Sequence, residues 1–194
     1  MKKWSTPRIY PVVRAVPPAG RNLSGKERAD FLKRYARQAV ARSAAIQNLP
    51  IRSFDTDPSG APIAVDGIYW SLSHKPDYVG GVAAKHPTGI DIEKIRPVEN
   101  RLFDRVINAS ERKLLDADPN FLFFRFWTAK EVVLKRMGIG LSGLSNCRVR
   151  HVIDDDQLIV DYQTAEFTVM QTFFEDYIAA VLKADAEVIE WQLE

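Results

Sequence analysis

The chain has 194 residues, of which 46% are apolar and 27% charged, with a net charge of +2; this is enough to bury a sizeable core and excludes a disordered tail. Its longest apolar runs, such as Tyr78 to Ala84, fall far short of the ~18 residues of a membrane span, and Met1-Lys2-Lys3 leads into Trp4-Ser5-Thr6-Pro7 without an apolar signal core. The single cysteine, Cys147, excludes an internal disulfide framework and fits a reducing cytoplasm.

The net charge conceals a split. Residues 1–50 hold 11 Lys/Arg against 2 Asp/Glu, whereas residues 151–194 hold 1 against 11. Such a division either makes a basic lobe that attracts a polyanion or draws the two ends together.

In chain order, Pro7, Pro11, Pro17 and Pro18 predict extended or loop structure over residues 1–20. Ser24-Gly25-Lys26-Glu27 has the form of a capping box. Phe31, Leu32, Tyr35, Ala39 and Ile46 follow at helical spacing, which predicts a helix over about 25–47. Its other face carries Arg28, Lys33, Arg34, Arg37 and Arg42. Ile68–Ser73, Tyr78–Lys85 and Ile90–Glu93 read as close-set strands of an antiparallel ribbon. Asn108-Ala109-Ser110-Glu111 is a second capping pattern, opening a short helix that ends before Pro119. A third helix is predicted from Phe121 to Met137, with Gly138 as its C-cap. Four strands follow: Cys147–Ile153, Leu158–Gln163, Glu166–Thr172 and Tyr177–Lys183. Asp77-Tyr78-Val79-Gly80-Gly81-Val82 matches Asp176-Tyr177-Ile178-Ala179-Ala180-Val181. The expected class is therefore α+β, with two similar lobes, 1–100 and 101–194, packed about a pseudo-twofold axis. Each lobe would be a long helix on antiparallel strands.

Two segments carry chemistry. In Gly89-Ile90-Asp91-Ile92-Glu93 the carboxylates are two apart on a strand, so both face one side while Ile90 and Ile92 face the core. Trp127, Glu131 and Lys135 recur every fourth residue and share one helix face. Taken alone, each has a bland reading, as an alternating strand and an i,i+4 surface pair. A face with an indole, a carboxylate and an ammonium is nonetheless not purely solvated, and a buried charge needs a partner or a metal. Mg²⁺ takes one or two carboxylates together with substrate phosphate oxygens, and lysines neutralise further phosphate charge. These residues point to a Mg²⁺-dependent reaction at a phosphate ester or anhydride. Ser73-His74 ends a strand and can hydrogen-bond phosphate; adjacent strand residues face opposite sides, so the pair is not a hydrolase dyad. Gly138, Gly140 and Gly143 follow a helix, and no Gly-Lys-Ser/Thr is present, which excludes a P-loop. Cys147 is expected in the core.

Ser71-Leu72-Ser73-His74, Gly89-Ile90-Asp91-Ile92-Glu93-Lys94 and Trp127-Thr128-Ala129-Lys130-Glu131-Val132-Val133-Leu134-Lys135 together resemble the three signature motifs of 4′-phosphopantetheinyl transferases, most closely the surfactin-type monomeric branch. The resemblance covers about residues 20–185. It implies transfer of the 4′-phosphopantetheine arm of coenzyme A to a serine of an apo carrier protein, with release of 3′,5′-ADP. By position, Asp91, Glu93 and Glu131 would hold Mg²⁺. Glu131 or a metal-held water would help deprotonate the serine, and Lys135 would stabilise or protonate the leaving phosphate. Ser73, His74 and Lys130 would contact the coenzyme A phosphates, and one or two of Arg28, Arg34 and Arg37 the 3′-phosphate. The resemblance also implies a cytoplasmic monomer without nucleic-acid or membrane partners.

One departure matters: Gly60-Ala61-Pro62 stands where the family commonly has Gly-Lys-Pro, which shifts that contact to Arg52 or the basic helix. The stretch 96–113, with Arg96, Arg101, Arg105, Arg112 and Lys113, offers a docking surface for an acidic carrier protein. Competing readings are a non-catalytic coenzyme A or carrier-protein binder, and a Mg²⁺-dependent nuclease or nucleotide hydrolase. The intact Glu131/Lys135 pair argues against the first, and the lack of a nucleic-acid motif against the second.

Overall fold

The computed structural model describes residues 6–194, so the reading of Met1-Lys2-Lys3 and Trp4-Ser5 lies outside the described residues. The helices are α1 (Pro18–Arg21), α2 (Gly25–Ile46), α3 (Asn100–Val106) and α4 (Pro119–Met137). The strands of the first half are β1 (Arg8–Ile9), β2 (Val12–Ala15), β3 (Tyr69–His74), β4 (Tyr78–Ala84) and β5 (Ile90–Lys94). Those of the second are β6 (Cys147–Val152), β7 (Gln157–Tyr162), β8 (Ala165–Phe174), β9 (Tyr177–Lys183), β10 (Val188–Ile189) and β11 (Gln192–Leu193). One sheet has the order β11-β2-β4-β3 and a second the order β5-β9-β8-β7-β6.

Period-two alternation sorts the side chains into layers. On β4, Val79 and Ala83 pack with Leu32, Ala36, Ala39, Val40 and Ala44 of α2, while Val82 and Ala84 pack with Ile90 and Val181 of the second sheet. On β9, Ala180 and Leu182 pack with Val132 and Val133 of α4. The order of layers is helix, sheet, sheet, helix. Close approach explains two glycines. A Cβ on Gly81 would lie 2.3 Å from the backbone nitrogen of Val40, and one on Gly89 2.1 Å from the Val132 carbonyl oxygen.

The helix expected over 25–47 forms as Gly25–Ile46, but Ser24 makes no side-chain cap hydrogen bond; Gly25 turns through the left-handed region at φ 52°. The second capping pattern does close reciprocally: Asn108 Oδ1 accepts from Glu111 N at 3.0 Å and Glu111 Oε2 from Asn108 N at 2.9 Å. What it opens is only a 3₁₀ turn, Glu111–Lys113. Helix α4 starts two residues before the expected Phe121, because Asp118 Oδ1 caps the amides of Asn120 and Phe121 and Pro119 occupies the first turn. Gly138, at φ 66°, ends it as expected.

The three-stranded ribbon expected from Ile68 to Glu93 is a two-stranded hairpin. β5 leaves β4 and pairs antiparallel with β9, Asp91 opposite Ala180 and Glu93 opposite Ile178. The chain end also departs from an all-antiparallel expectation: β10 pairs with β1 and β11 with β2, both parallel. Glu194 sits 3.2 Å from Arg14 and 3.0 Å from Arg42, and Glu190 pairs with Arg8. The basic start and the acidic end of the chain therefore meet. Among the described residues no helix is long and apolar enough to cross a membrane.

Candidate active site

The site lies where the edge of the first sheet meets the edge of the second. β3 and β5 are not paired as strands, yet Ser71 Oγ accepts from Ile90 N at 3.2 Å and Ser73 Oγ from Ile92 N at 3.3 Å. The Ile90/Ile92 face of β5 packs inward as expected, and the other face presents Asp91 and Glu93 to α4.

Both strand carboxylates are buried and half-committed. Asp91 Oδ1 accepts from Ser73 Oγ at 2.8 Å and from Lys135 Nζ at 2.7 Å. Glu93 Oε1 accepts from Lys75 Nζ at 2.7 Å and from Trp127 Nε1 at 3.1 Å. Trp127 in turn stacks on Phe123, their centroids 5.9 Å apart. The second oxygen of each, Asp91 Oδ2 and Glu93 Oε2, is buried without a hydrogen-bond partner among the described residues, and so is Glu131 Oε1. Burial raises the Glu131 carboxyl to about 7, with Asp91 next and Glu93 adding to it, while Lys135 and Lys75 oppose the shift.

Asp91, Glu93 and Glu131, with Lys75, Trp127, Lys135 and His74, line one hollow of 370 Å³. Among the described residues no three acidic, histidine or thiol groups stand together as a ready cation cage. The donor chemistry nonetheless fits a hard divalent cation: the buried Asp91 and Glu93 and the half-buried Glu131 line one hollow, each with a buried oxygen that makes no hydrogen bond among the described residues, and the Arg96 guanidinium lies 3.6 Å from Glu93 Oε2.

A second hollow of 440 Å³ adjoins the first, sharing Leu72, His74 and Lys135. Its walls include Lys33 and Arg37 of α2, the turn Ser59-Gly60-Ala61-Pro62, and Gly138 and Gly140 beyond α4. Burial, then Lys135, Lys75 and Lys33, lowers the His74 pKa, so its ring is neutral at pH 7.

Several expected site residues stand elsewhere. Lys130 does not face this groove. It is buried on the far side of α4, where its Nζ lies 2.7 Å from Glu111 Oε1 and donates to the Val106 carbonyl at 2.6 Å. One residue along a helix is a turn of about 100°, which carries Lys130 away from Glu131. Ser73 lines the smaller hollow, but its proton is committed to Asp91. Of Arg28, Arg34, Arg37 and Arg52, Arg37 lines the second of these two hollows and the other three line neither. Two lining residues, Lys33 and Lys75, stand outside the sequence motifs. Lys33 is four residues before Arg37, on the same helix face, and that spacing was available. For Lys75 only its place after Ser73-His74 could have drawn notice.

Comparison with known proteins bears on two of the three motifs, 89–94 and 127–135. The model of the 4′-phosphopantetheinyl transferase superfamily matches residues 87–182. The 4′-phosphopantetheinyl transferase psf-1 of Bacillus pumilus is 35% identical over 104 residues, covering 50% of this chain and 45% of that protein. HetI of Nostoc sp. is 32% identical over 108 residues (50% and 46%), and Sfp of Bacillus subtilis 30% over 112 residues (55% and 50%). The chain spans about half the length of the curated relatives it matches. With the signature carboxylates and lysine gathered in one hollow, the chain belongs to the 4′-phosphopantetheinyl transferase superfamily.

Proposed function

We propose that this protein transfers the 4′-phosphopantetheine arm of coenzyme A to a serine hydroxyl of an apo carrier protein and releases 3′,5′-ADP. The observation that carries the reading is the hollow in which three carboxylates, each with a buried oxygen that makes no hydrogen bond among the described residues, lie beside two lysines. Asp91, Glu93 and Glu131 would hold Mg²⁺, which when bound supplies positive charge to the pyrophosphate.

The chain's own groups have separable tasks. Ser73 and Trp127 orient the two strand carboxylates through Asp91 Oδ1 and Glu93 Oε1. Glu131 would help deprotonate the incoming serine. The serine oxygen then bonds to the β-phosphorus as the anhydride P–O bond breaks, and Lys135 stabilises or protonates the departing phosphate of 3′,5′-ADP. Neutral His74 donates to a phosphate oxygen. Lys33 and Arg37 bind the nucleotide end, in place of the lysine absent at Ala61.

Two lobes, 1–100 and 101–194, related by a pseudo-twofold axis, belong to the same reading. Its support is that the repeated segments meet. Tyr177 Oη donates to Asp77 Oδ2 at 2.7 Å, and Lys94 lies 3.7 Å from Asp77 and 3.2 Å from Asp176. The exposed cations of 96–113 would receive an acidic carrier protein. A monomeric, cytoplasmic enzyme that handles no nucleic acid completes the proposal.

The test is to incubate the protein with Mg²⁺ and coenzyme A against a panel of apo carrier proteins and weigh each carrier. A gain of one phosphopantetheine, lost on chelation, is expected. No gain on any carrier overturns the reading, and cleavage of DNA or RNA instead would replace it with a hydrolase.

A further inference from the structure

Lys75 has no part in the motifs, yet its ammonium sits in the hollow. Its Nζ lies 2.7 Å from Glu93 Oε1, and the Lys75 side chain is 29% exposed against 7% for Glu93. The backbone beneath it is held. Lys75 N donates to Tyr78 O at 2.8 Å, Pro76 follows in the turn, and Tyr177 Oη fixes Asp77. Any displacement of the ammonium therefore comes from its flexible four-carbon stem.

Charge favours such a displacement. Two ammonium groups, Lys75 and Lys135, face three carboxylates in this hollow, and the exposed Arg96 guanidinium lies 3.6 Å from the other Glu93 oxygen, Oε2. A divalent cation that takes Glu93 meets the Lys75 ammonium at the same carboxylate and repels it. A pyrophosphate brought in with the metal then offers that ammonium new anionic oxygens within the same hollow.

We infer that Lys75 is an exchanging counter-cation. It holds Glu93 Oε1 while the metal is absent and turns onto the phosphate oxygens of coenzyme A when metal and coenzyme enter. This rests on the function proposed above and adds a residue to it.

The exchange predicts opposite effects on two ligands. Mn²⁺ binding is measured without coenzyme A, from the loss of the free-ion paramagnetic resonance signal. Coenzyme A binding is measured by calorimetry with Mg²⁺ present. Lys75→Gln is expected to bind Mn²⁺ about three- to tenfold tighter and coenzyme A about fivefold weaker. Lys75→Arg, which keeps the charge, returns both toward wild type. Unchanged or weaker Mn²⁺ binding in Lys75→Gln, or unchanged coenzyme A binding, overturns the exchange while the transferase reading stands. A wild-type protein that binds neither Mn²⁺ nor coenzyme A overturns the proposed function, and the exchange with it.

Discussion

Lys135 Nζ lies 2.7 Å from Asp91 Oδ1 and 2.9 Å from the Ile90 carbonyl oxygen, so one ammonium joins the helix α4 to the strand β5. Asp91 is thereby both a proposed metal ligand and the anchor of the proposed acid. Asp91→Asn removes its charge but keeps its size. Carrier modification is expected to fall by at least about a hundredfold, while the thermal unfolding midpoint moves only a few degrees. Near wild-type turnover would contradict the assignment. Glu131→Ala should abolish turnover in the same assay.

The raised Glu131 carboxyl makes stability depend on pH. In the fold it keeps its proton up to about 7, whereas an unfolded glutamate loses it near 4.5. Between these values the native state binds more protons, so metal-free stability falls as pH rises through this window and then levels off. The loss is on the order of 3 kcal/mol at most. Glu131→Gln should raise the melting temperature of the metal-free protein at pH 8 and flatten its pH dependence between 5 and 8. A parallel pH profile in wild type and variant would show that Glu131 ionises normally.

The buried pair Lys130–Glu111 is expected to act on stability. Glu111 Oε1 also accepts from Val149 N at 2.8 Å, so Glu111→Ala strands an ammonium and two amides at once. A loss of about 3–5 kcal/mol is expected by denaturant unfolding. Lys130→Met leaves Glu111 its two backbone donors and should cost less. The reverse order would show that the lysine has a task outside this pair.

At the proposed nucleotide end, Lys33 and Arg37 face the larger hollow and Arg34 does not. Lys33→Ala and Arg37→Ala should each raise the KM for coenzyme A by about three- to tenfold. Arg34→Ala should leave it within experimental error. Equal effects of all three variants would mean that only the general positive field of α2 matters.

Burial pushes the Cys147 thiol up to about 12, and its side chain is 1% exposed. Thiol reagents should leave the folded protein unmodified, and Cys147→Ser should retain full transferase activity. Inactivation by a thiol reagent before unfolding would contradict this.

Local pattern was sufficient for much of the chain. Helical spacing in Phe31, Leu32, Tyr35 and Ala39, alternation in Tyr78 to Ala84 and in Ile90 to Glu93, and the glycine after Met137 all have their causes within a few residues. The same holds for the three carboxylates and Lys135, because strand period two and helix period near four assign them to shared faces. Lys130 is the instructive failure. It adjoins Glu131 in the motif, but one helical step turns it toward Glu111, a partner 19 residues earlier whose position no local rule supplies.

Long-range pairing was decided only in the tertiary structure. That β5 abandons its neighbour β4 for β9, that Ser73 spends its proton on Asp91, and that Glu194 returns to Arg14 and Arg42 all depend on contacts between distant segments. Residue types and their periodicity settle which faces are polar and which chemistry is available. Which polar faces meet depends on how two sheets bury their apolar sides against each other, since burial is non-directional and leaves no mark in a short window of sequence.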